Sequence, residues 1–288
     1  MSLANSDLEG LANAALEAAR AAGALIARSQ PTEIGHKTAG TSAASQIVTG
    51  VDRAAETLIL EYLEPTLERF ELAVLTEERD DDGRRLVADH FWCVDPLDGT
   101  LPFVEGRPGY AVSIALVRRD GTPLIGVVGD PVSSTTRHAI AGRGAFRDGD
   151  PWVMPVSSDA AVLTVFADRS LLADDDGEVE ARLDRVAREA GLDGAEIHVG
   201  NGAVMNACGV FDHPPGCYVK FPTPRGGGSL WDFAATACLA AELGAVATDL
   251  RGAALDLNRG DGVSMGHRGV CFATDRALAD RLRRLGAG

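Results

Sequence analysis

The sequence is poor in basic residues. Its 288 residues include 27 Lys and Arg against 42 Asp and Glu, which gives a formal net charge of −15. Proteins that bind nucleic acid draw most of their affinity from basic side chains that contact phosphates. Peripheral binding to an anionic membrane needs basic residues for the same reason. The charge balance therefore argues against a nucleic acid polymer or a membrane surface as a partner.

The sequence also lacks long apolar runs and paired cysteines. Its apolar stretches are far shorter than the roughly 20 residues of a membrane-spanning helix. Residues 1–23 show no basic segment followed by an apolar one, as a signal peptide would. The cysteines are widely spaced and form no Cys-x-x-Cys pair; they are Cys93, Cys208, Cys217, Cys238 and Cys271. These absences predict a cytoplasmic protein with reduced thiols and no zinc site.

Apolar residues are abundant enough for a real core, at 45% of the chain. Helical spacing predicts helices at 8–27, 178–190, 201–210, 232–243 and 275–284. A further helix is predicted to begin at Asp52 as its N-cap, and Gly244 is predicted to be the C-cap of the helix at 232–243. Short apolar runs predict strands at 72–75, 91–94, 111–117, 124–128, 137–146, 162–168, 196–199 and 270–273. Residues 29–45 are predicted to form a loop or loose hairpin. The order indicates an α+β domain at 1–153 and an α/β domain at 154–288.

The segment Asp95-Pro-Leu-Asp-Gly-Thr100 directly follows a predicted strand. Two carboxylates at a strand end can face one pocket, and oxygen ligands suit a hard cation such as Mg²⁺. Gly99 permits a tight turn, after which the N–H groups of Gly99 and Thr100 can point at an anion. The alternative interpretation is an ordinary Asp-Gly turn.

Further acidic residues stand at the ends of other predicted elements. Glu77 and Glu78 follow the strand at 72–75, and Asp232 begins an apolar helix after a run of glycines. Several carboxylates at element ends are what a site for more than one hard cation requires. A solvated turn at Glu77 and a simple helix cap at Asp232 are the alternatives.

Short motifs in a fixed order resemble the inositol monophosphatase-like family. This family of Mg²⁺-dependent, lithium-sensitive phosphatases includes fructose-1,6-bisphosphatases and 3′(2′),5′-bisphosphate nucleotidases. The motifs are Val48-Thr-Gly-Val-Asp52 with Glu56, Thr76-Glu-Glu78, Trp92-Cys-Val-Asp-Pro-Leu-Asp-Gly-Thr100 with Phe103, Gly142-Arg-Gly-Ala-Phe146, and Trp231-Asp232-Phe-Ala-Ala235 with Glu242-Leu-Gly244 and Asp256-Leu257. The resemblance implies a layered αβαβα sandwich of the sugar phosphatase type, with mixed sheets and packed helices.

The resemblance also implies roles for individual residues. The first metal would be held by Glu77, Asp95 and the carbonyl of Leu97, the second by Asp95, Asp98 and Asp232, and a looser third again by Glu77. The N–H groups of Gly99 and Thr100 would seat the phosphate. Thr100, linked through its hydroxyl to Asp52, would orient the attacking water. The substrate would contact Asp98 and the turn at Gly200, Asn201 and Gly202.

The same resemblance implies cofactors and partners. Two or three Mg²⁺ ions are expected, with Mn²⁺ as a substitute and Li⁺ and Ca²⁺ as inhibitors. A small phosphorylated substrate would be hydrolysed in line by activated water, without a covalent intermediate. A homodimer is expected on the resemblance alone.

The sequence departs from the family pattern at two places. Pro102 stands where the family usually has Asn, which alters loop geometry but no metal ligand. The segment at 220–229 is rich in glycine and lacks the acidic residues of inositol phosphate enzymes, so inositol specificity is not assured. Lys220 and Arg225 in this segment are candidates to bind a second phosphate, or else are surface residues that aid solubility.

Alternative functions remain open. Bisphosphate nucleotidase or fructose-1,6-bisphosphatase specificity, or a non-catalytic metal-binding relative, would fit the same motifs. A haloacid-dehalogenase-type phosphatase requires one residue between its two acids, whereas Pro96 and Leu97 separate Asp95 from Asp98. An EF-hand loop is absent from the sequence.

Overall fold

The computed structural model describes residues 3–30, 34–36, 47–156, 160–172, 177–224 and 226–285. Within these ranges the α-helices are α1 (Asn5–Arg28), α2 (Gly50–Phe70), α3 (Thr100–Val104), α4 (Arg169–Leu172), α5 (Glu178–Glu189), α6 (Ala203–Asp212), α7 (Leu230–Leu243) and α8 (Arg276–Leu285). The strands are β1 (Ile34–His36), β2 (Ile47–Thr49), β3 (Ala73–Thr76), β4 (His90–Asp98), β5 (Ala111–Arg118), β6 (Pro123–Asp130), β7 (Thr135–Ile140), β8 (Gly144–Arg147), β9 (Asp150–Trp152), β10 (Val162–Ala167), β11 (Gly194–Val199), β12 (Gly216–Lys220), β13 (Val246–Thr248) and β14 (Val270–Ala273).

Strands β3 to β9 form a seven-stranded sheet whose spatial order follows the chain. β3 and β4 are parallel, and every other neighbouring pair is antiparallel. Successive side chains of a strand point to opposite faces, and β4 buries both faces. Trp92 and Val94 join the core beneath α1 and α2, whereas Phe91 and Cys93 join the core on the other side. Because both faces are covered, residues 91–94 are continuously apolar instead of alternating.

The second sheet has five strands in the order β11-β10-β12-β14-β13. β10 runs parallel to both β11 and β12, and β14 is antiparallel to β12 and β13. This sheet is therefore mixed as well. Its outer face packs on α5 and α8 through a core that includes Leu163, Val165, Leu183 and Leu282.

The helices complete five layers. α1 and α2 cover one face of the seven-stranded sheet, α6 and α7 pack between the two sheets, and α5 and α8 cover the far face. Contact between α7 and the sheet is close, because a Cβ at Gly126 on β6 would lie 2.2 Å from the carbonyl oxygen of Ala235. The predicted αβαβα sandwich with mixed sheets and packed helices is confirmed. The division at residue 153 stays a prediction, since one core joins residues of both sheets.

Several predicted elements differ from the structure. Asp52 is not an N-cap, because α2 begins at Gly50 and places Asp52 in its first turn. The strand predicted at 137–146 is two strands, β7 and β8. The turn-like segment Gly142-Arg-Gly144 named with it is the point where the chain reverses, since Gly142 and Gly144 have positive φ. The loop or loose hairpin predicted at 29–45 lies mostly outside the described residues, which exclude 31–33 and 37–46. Within it β1 pairs antiparallel with β2, a strand that begins beyond the predicted range. Gly244 ends α7 in the left-handed conformation, as predicted.

All five cysteines are buried and none is in a disulfide. Burial raises the pKa of the Cys208 thiol to about 12, because a buried thiolate would lose its hydration. These thiols therefore behave as small apolar core residues. In the part of the chain that the structure describes, no helix has the length and apolar character needed to span a membrane.

Candidate active site

A β-bulge at the end of β4 places Asp95 and Asp98 on the same side of the sheet. The pairing with β5 steps from Asp95–Ser113 to Asp98–Ala111, so β4 has one residue more than β5 over this interval. In a regular strand, residues three apart face opposite sides, and the extra residue reverses that relation. Asp95 also accepts a hydrogen bond from the backbone N–H of Leu97 over 3.0 Å. The bulge is the reason that both carboxylates point into one pocket.

Asp232 reaches the same place from α7. Ser229 is the N-cap of this helix and Asp232 lies three residues further on, so Asp232 is not itself the N-cap. Its carboxylate accepts a hydrogen bond from the backbone N–H of Ser229 over 3.0 Å. One carboxylate oxygen from each of Asp95, Asp98 and Asp232 lies within 4.8 Å of the other two. The capping role and the clustering therefore coexist at Asp232.

Burial raises the pKa of each clustered carboxyl, and repulsion by neighbouring carboxylates adds to this effect at Asp95 and Asp98. Desolvation is the largest cause at Asp95 and Asp98, followed by the charges of Glu77 at Asp95 and of Asp232 at Asp98. Desolvation also raises the pKa of Asp232, against the opposing effect of the Lys220 ammonium. Oxygen atoms of buried, like-charged carboxylates are the donor set that a hard divalent cation prefers. The residues present therefore fit Mg²⁺.

Glu77 stands beside this cluster, one residue after β3 ends. Its backbone N–H donates to the carbonyl oxygen of Val94 over 3.2 Å, which extends the β3–β4 ladder by one step. A side-chain hydrogen bond to Glu77 contributes to the raised pKa of Asp95. The parallel pairing of β3 and β4 brings both acidic strand ends to the same edge of the sheet.

The turn after β4 positions Gly99 and Thr100. Gly99 has a φ of 81°, and a Cβ there would lie 2.8 Å from the carbonyl oxygen of Gly109, so the turn depends on glycine. The Thr100 hydroxyl lies 3.2 Å from Asp52 Oδ1 and 3.2 Å from the carbonyl oxygen of Leu97. Asp52 is fully buried on α2. The predicted link between Thr100 and Asp52 is thus present.

The turn at 200–202 lies opposite the acidic strand ends, against the turn at Gly99. The backbone N–H of Gly202 donates to the carbonyl oxygen of Gly109 over 2.7 Å. Asp98 accepts hydrogen bonds from the N–H groups of Ala203 and Val204, which begin α6. A cavity of about 630 Å³ is lined by the residues predicted for metal, phosphate and substrate: Glu77, Asp95, Leu97, Asp98, Gly99, Thr100, Gly200, Asn201, Gly202 and Asp232. Asp52 lies behind this wall and reaches it through Thr100.

A further wall of the cavity contains two charged residues, of which the sequence predicted one. Lys220 Nζ lies 2.9 Å from Asp168 Oδ2, and both residues line the cavity. Asp168 Oδ1 accepts hydrogen bonds from the Tyr218 hydroxyl and from Asn206 Nδ2. Lys220 was singled out in the sequence but Asp168 was not, because a lone Asp at the end of a predicted strand carries no distinctive motif. Arg225 lies outside the described residues.

Comparison with known proteins identifies the family. The chain matches the model of the inositol monophosphatase family over residues 7–284. It is 30% identical over 254 residues to inositol monophosphatase 2 of Solanum lycopersicum, covering 87% of this chain and 91% of the relative. It is 28% identical over 206 residues to the fructose-1,6-bisphosphatase/inositol-1-monophosphatase of Thermotoga maritima, covering 72% of each.

A solved structure shares the fold. The extragenic suppressor protein suhB of Bartonella henselae superposes with a TM-score of 0.70 at 23% identity, covering 96% of this chain and 97% of that one. The family match, by contrast, rests on sequence and spans both sheets and every wall of the cavity. The chain belongs to the inositol monophosphatase family.

Proposed function

We propose that this protein is a Mg²⁺-dependent phosphomonoesterase that hydrolyses a small phosphate ester. The observation that carries the proposal is the cluster of Asp95, Asp98 and Asp232 oxygens beside the turn at Gly99 and Thr100 in one cavity. A cavity of several hundred cubic ångströms suits a small molecule and not a polymer. Acidic walls alone would repel a phosphate, so a cation on those walls is part of the proposal.

The residues that would hold the metal ions are the acidic ones. Glu77, Asp95 and the Leu97 carbonyl would hold the first ion, Asp95, Asp98 and Asp232 the second, and Glu77 a looser third. These residues would hold Mg²⁺ where it would make water a better nucleophile near neutral pH and would offset the charge that builds on the phosphoryl group and the leaving oxygen. Mn²⁺ would substitute, whereas Li⁺ and Ca²⁺ would inhibit.

The remaining steps belong to the chain itself. Asp52 accepts the Thr100 hydroxyl proton in a hydrogen bond, which leaves the Thr100 oxygen free to accept one from the attacking water and to orient it. The N–H groups of Gly99 and Thr100 would hold the phosphate. The leaving alcohol would lie against Asp98 and the turn at 200–202. Attack in line requires no covalent intermediate on the protein.

The proposed substrate is an inositol monophosphate or a related sugar or nucleotide phosphate. The tomato relative is named an inositol monophosphatase, and the Thermotoga relative combines that activity with fructose-1,6-bisphosphatase in its name. One observation favours a bisphosphate as the alternative: the Lys220 side chain lines the cavity as a cation. Burial by itself lowers the pKa of Lys220, but the Asp168 and Asp232 carboxylates outweigh it and raise the pKa, so the ammonium stays charged. The homodimer, the cytoplasmic location and the two domains belong to the proposal as well.

The decisive experiment measures phosphate release from a panel of esters with Mg²⁺ and with EDTA. The panel contains inositol 1-phosphate, fructose 1,6-bisphosphate, 3′-phosphoadenosine 5′-phosphate, histidinol phosphate and NADP. Release that requires Mg²⁺ supports the proposal, and preference for a bisphosphate that Lys220→Met removes selects the alternative. If no ester releases phosphate although Mg²⁺ still binds, the proposed activity is contradicted and a non-catalytic metal-binding protein is favoured.

A further inference from the structure

Helix α2 carries two buried carboxylates one turn apart. Asp52 is 0% exposed and Glu56 is 5% exposed. Residues four apart on a helix lie on the same face, so both carboxylates point toward the sheet. Each accepts a hydrogen bond from a different strand end: Asp52 from Thr100 after β4, and Glu56 from Thr76 at the end of β3. One helix is thus hydrogen-bonded to two of the segments beside the cavity, the ends of β3 and β4.

Glu56 contacts the chain on both sides of the acidic pair Glu77 and Glu78. Its Oε1 accepts a hydrogen bond from the Thr76 hydroxyl over 2.6 Å, at a site where both residues are buried. Its Oε2 accepts one from Arg79 Nε over 3.1 Å. The carboxylate therefore spans the short segment that presents Glu77 to the cavity.

The strand ladder alone does not fix this segment. The last β3–β4 pair is Thr76–Val94, and the N–H of Glu77 makes one more ladder hydrogen bond, to Val94. Beyond Glu77 the chain leaves the sheet, and the Arg79 contact with Glu56 lies beyond that point. A buried carboxylate is costly unless it is hydrogen-bonded, and here both oxygens of Glu56 accept such bonds.

We propose that Glu56 is a positioning residue that fixes Glu77 relative to Asp95 and so sets the affinity of the site for Mg²⁺. The proposal rests on the metal site of the proposed function. Groups that hold metal ligands in place typically contribute 10–100-fold to metal affinity. Because Asp52 and Glu56 share one helix, α2 holds the ends of β3 and β4 in a common frame.

The test is a Mg²⁺ titration by calorimetry of purified wild type and variants, together with melting temperatures in EDTA and in Mg²⁺. Glu56→Ala removes both contacts, Glu56→Gln keeps an acceptor for Thr76 but loses the charge that faces Arg79, and Thr76→Val removes the hydroxyl alone. Thr66→Val is the matched control, because Thr66 lies on the same helix and accepts a hydrogen bond from Trp92 Nε1 far along α2 from the cavity.

We expect Glu56→Ala to weaken Mg²⁺ binding by about 10–100-fold, with smaller losses for Glu56→Gln and Thr76→Val. Thr66→Val should melt earlier in EDTA yet keep the wild-type Mg²⁺ affinity. Wild-type affinity in folded Glu56→Ala overturns the proposal; if that variant does not fold, wild-type affinity in both Glu56→Gln and Thr76→Val overturns it. A wild type that binds Mg²⁺ but releases no phosphate contradicts the proposed activity and leaves the role of Glu56 intact.

Discussion

The carboxylate of Asp98 accepts a hydrogen bond from the backbone N–H of Val204 over 2.9 Å, so the end of β4 is joined directly to the start of α6. The N–H of Ala203 donates to the other oxygen over 3.1 Å. A carboxylate is stabilised at a helix N-terminus by these unpaired N–H groups and by the helix dipole. The orientation of Asp98 therefore depends on α6 as much as on its own strand.

Gly202 leaves no room for a side chain beside this carboxylate, because a Cβ there would lie 2.2 Å from Asp98 Oδ2. We expect Gly202→Ala to displace Asp98, to lower the unfolding free energy by about 1–3 kcal/mol and to weaken Mg²⁺ binding. Urea denaturation and calorimetry measure the two effects. Gly10→Ala on α1, where a Cβ meets nothing within 4 Å, is the control and should be neutral or stabilising. Unchanged Mg²⁺ affinity in Gly202→Ala would contradict this prediction.

The variant Asp232→Asn removes the negative charge of the proposed metal ligand but keeps an oxygen that can cap α7. The amide oxygen can still accept the Ser229 N–H, so we expect the fold to persist while phosphate release falls by more than about 100-fold. Asp7→Asn is the matched control, since Asp7 caps α1 through the N–H of Ala4 in the same arrangement. Steady-state kinetics with saturating Mg²⁺ provide the measurement. Near-normal turnover of Asp232→Asn would refute the assignment of Asp232 as a ligand.

The acidic cluster makes the stability of the metal-free protein fall as pH rises. The pKa values of Asp95, Asp98 and Asp232 are raised in the folded state, so between the unfolded-state and the folded-state pKa values the folded chain binds more protons than the unfolded chain. The unfolding free energy contributed by these groups is therefore present at low pH and is lost as pH rises through the folded-state pKa values. Urea denaturation in EDTA from about pH 5 to about pH 8 tests this.

Other groups act in the opposite direction, so a variant is needed to isolate the cluster. Burial lowers the pKa of His90 and His138, which removes stability as pH falls below the unfolded-state value. We expect the decline of stability with rising pH to be steeper in wild type than in Asp95→Asn, and saturating Mg²⁺ to reduce the difference. Identical pH profiles for the two proteins in EDTA would contradict the role assigned to the cluster.

Arg85 is a buried cation that joins the loop after β3 to the loop near residue 258. Its Nε donates to Asp81 Oδ2, and its Nη1 donates to Asn258 Oδ1 and to the carbonyl oxygen of Arg259. We expect Arg85→Met to lower the unfolding free energy by about 2–4 kcal/mol, because it removes three hydrogen bonds of a buried cation and leaves their partly buried acceptors unpaired. Arg118→Met, which breaks an exposed pair with Asp120, should change it by less than about 1 kcal/mol. Equal effects of the two substitutions would count against this account of Arg85.

The sequence predicted the long helices and the buried strands, because their periodicity is strong. It did not predict β9, β12 or β13, which are three to five residues long and, for β9, contain a proline. Such strands are specified by their partners in the sheet: β12 exists because it pairs with both β10 and β14. The local sequence pattern of a short strand does not reveal which strands will pair with it.

The sequence likewise predicted some features of the candidate site and not others. The spacing of Asp95 and Asp98 indicated a shared pocket, but the bulge that turns both carboxylates to one side depends on pairing with β5. The pairing of Lys220 with Asp168 depends on β10 and β12 being neighbours, a relation that appears only once the sheet is assembled. Asp232 was a candidate from its place at the start of an apolar helix, and the family resemblance gave it the role of a metal ligand. Its distance from Asp95 is set by the packing of α7 on the sheet.

That packing has a consequence for the order of events during synthesis. The seven-stranded sheet is complete by Trp152, whereas α7 begins at Leu230. At translation rates of about 5–20 residues per second, the ribosome finishes Asp232 on the order of ten seconds after Asp98. Until then the bare surface at Gly126, shaped to receive the backbone of α7 at Ala235, has no helix to cover it. A sheet that assembles before α7 is synthesised would therefore expose an apolar face during this interval, and a chaperone or another nascent chain could reach it.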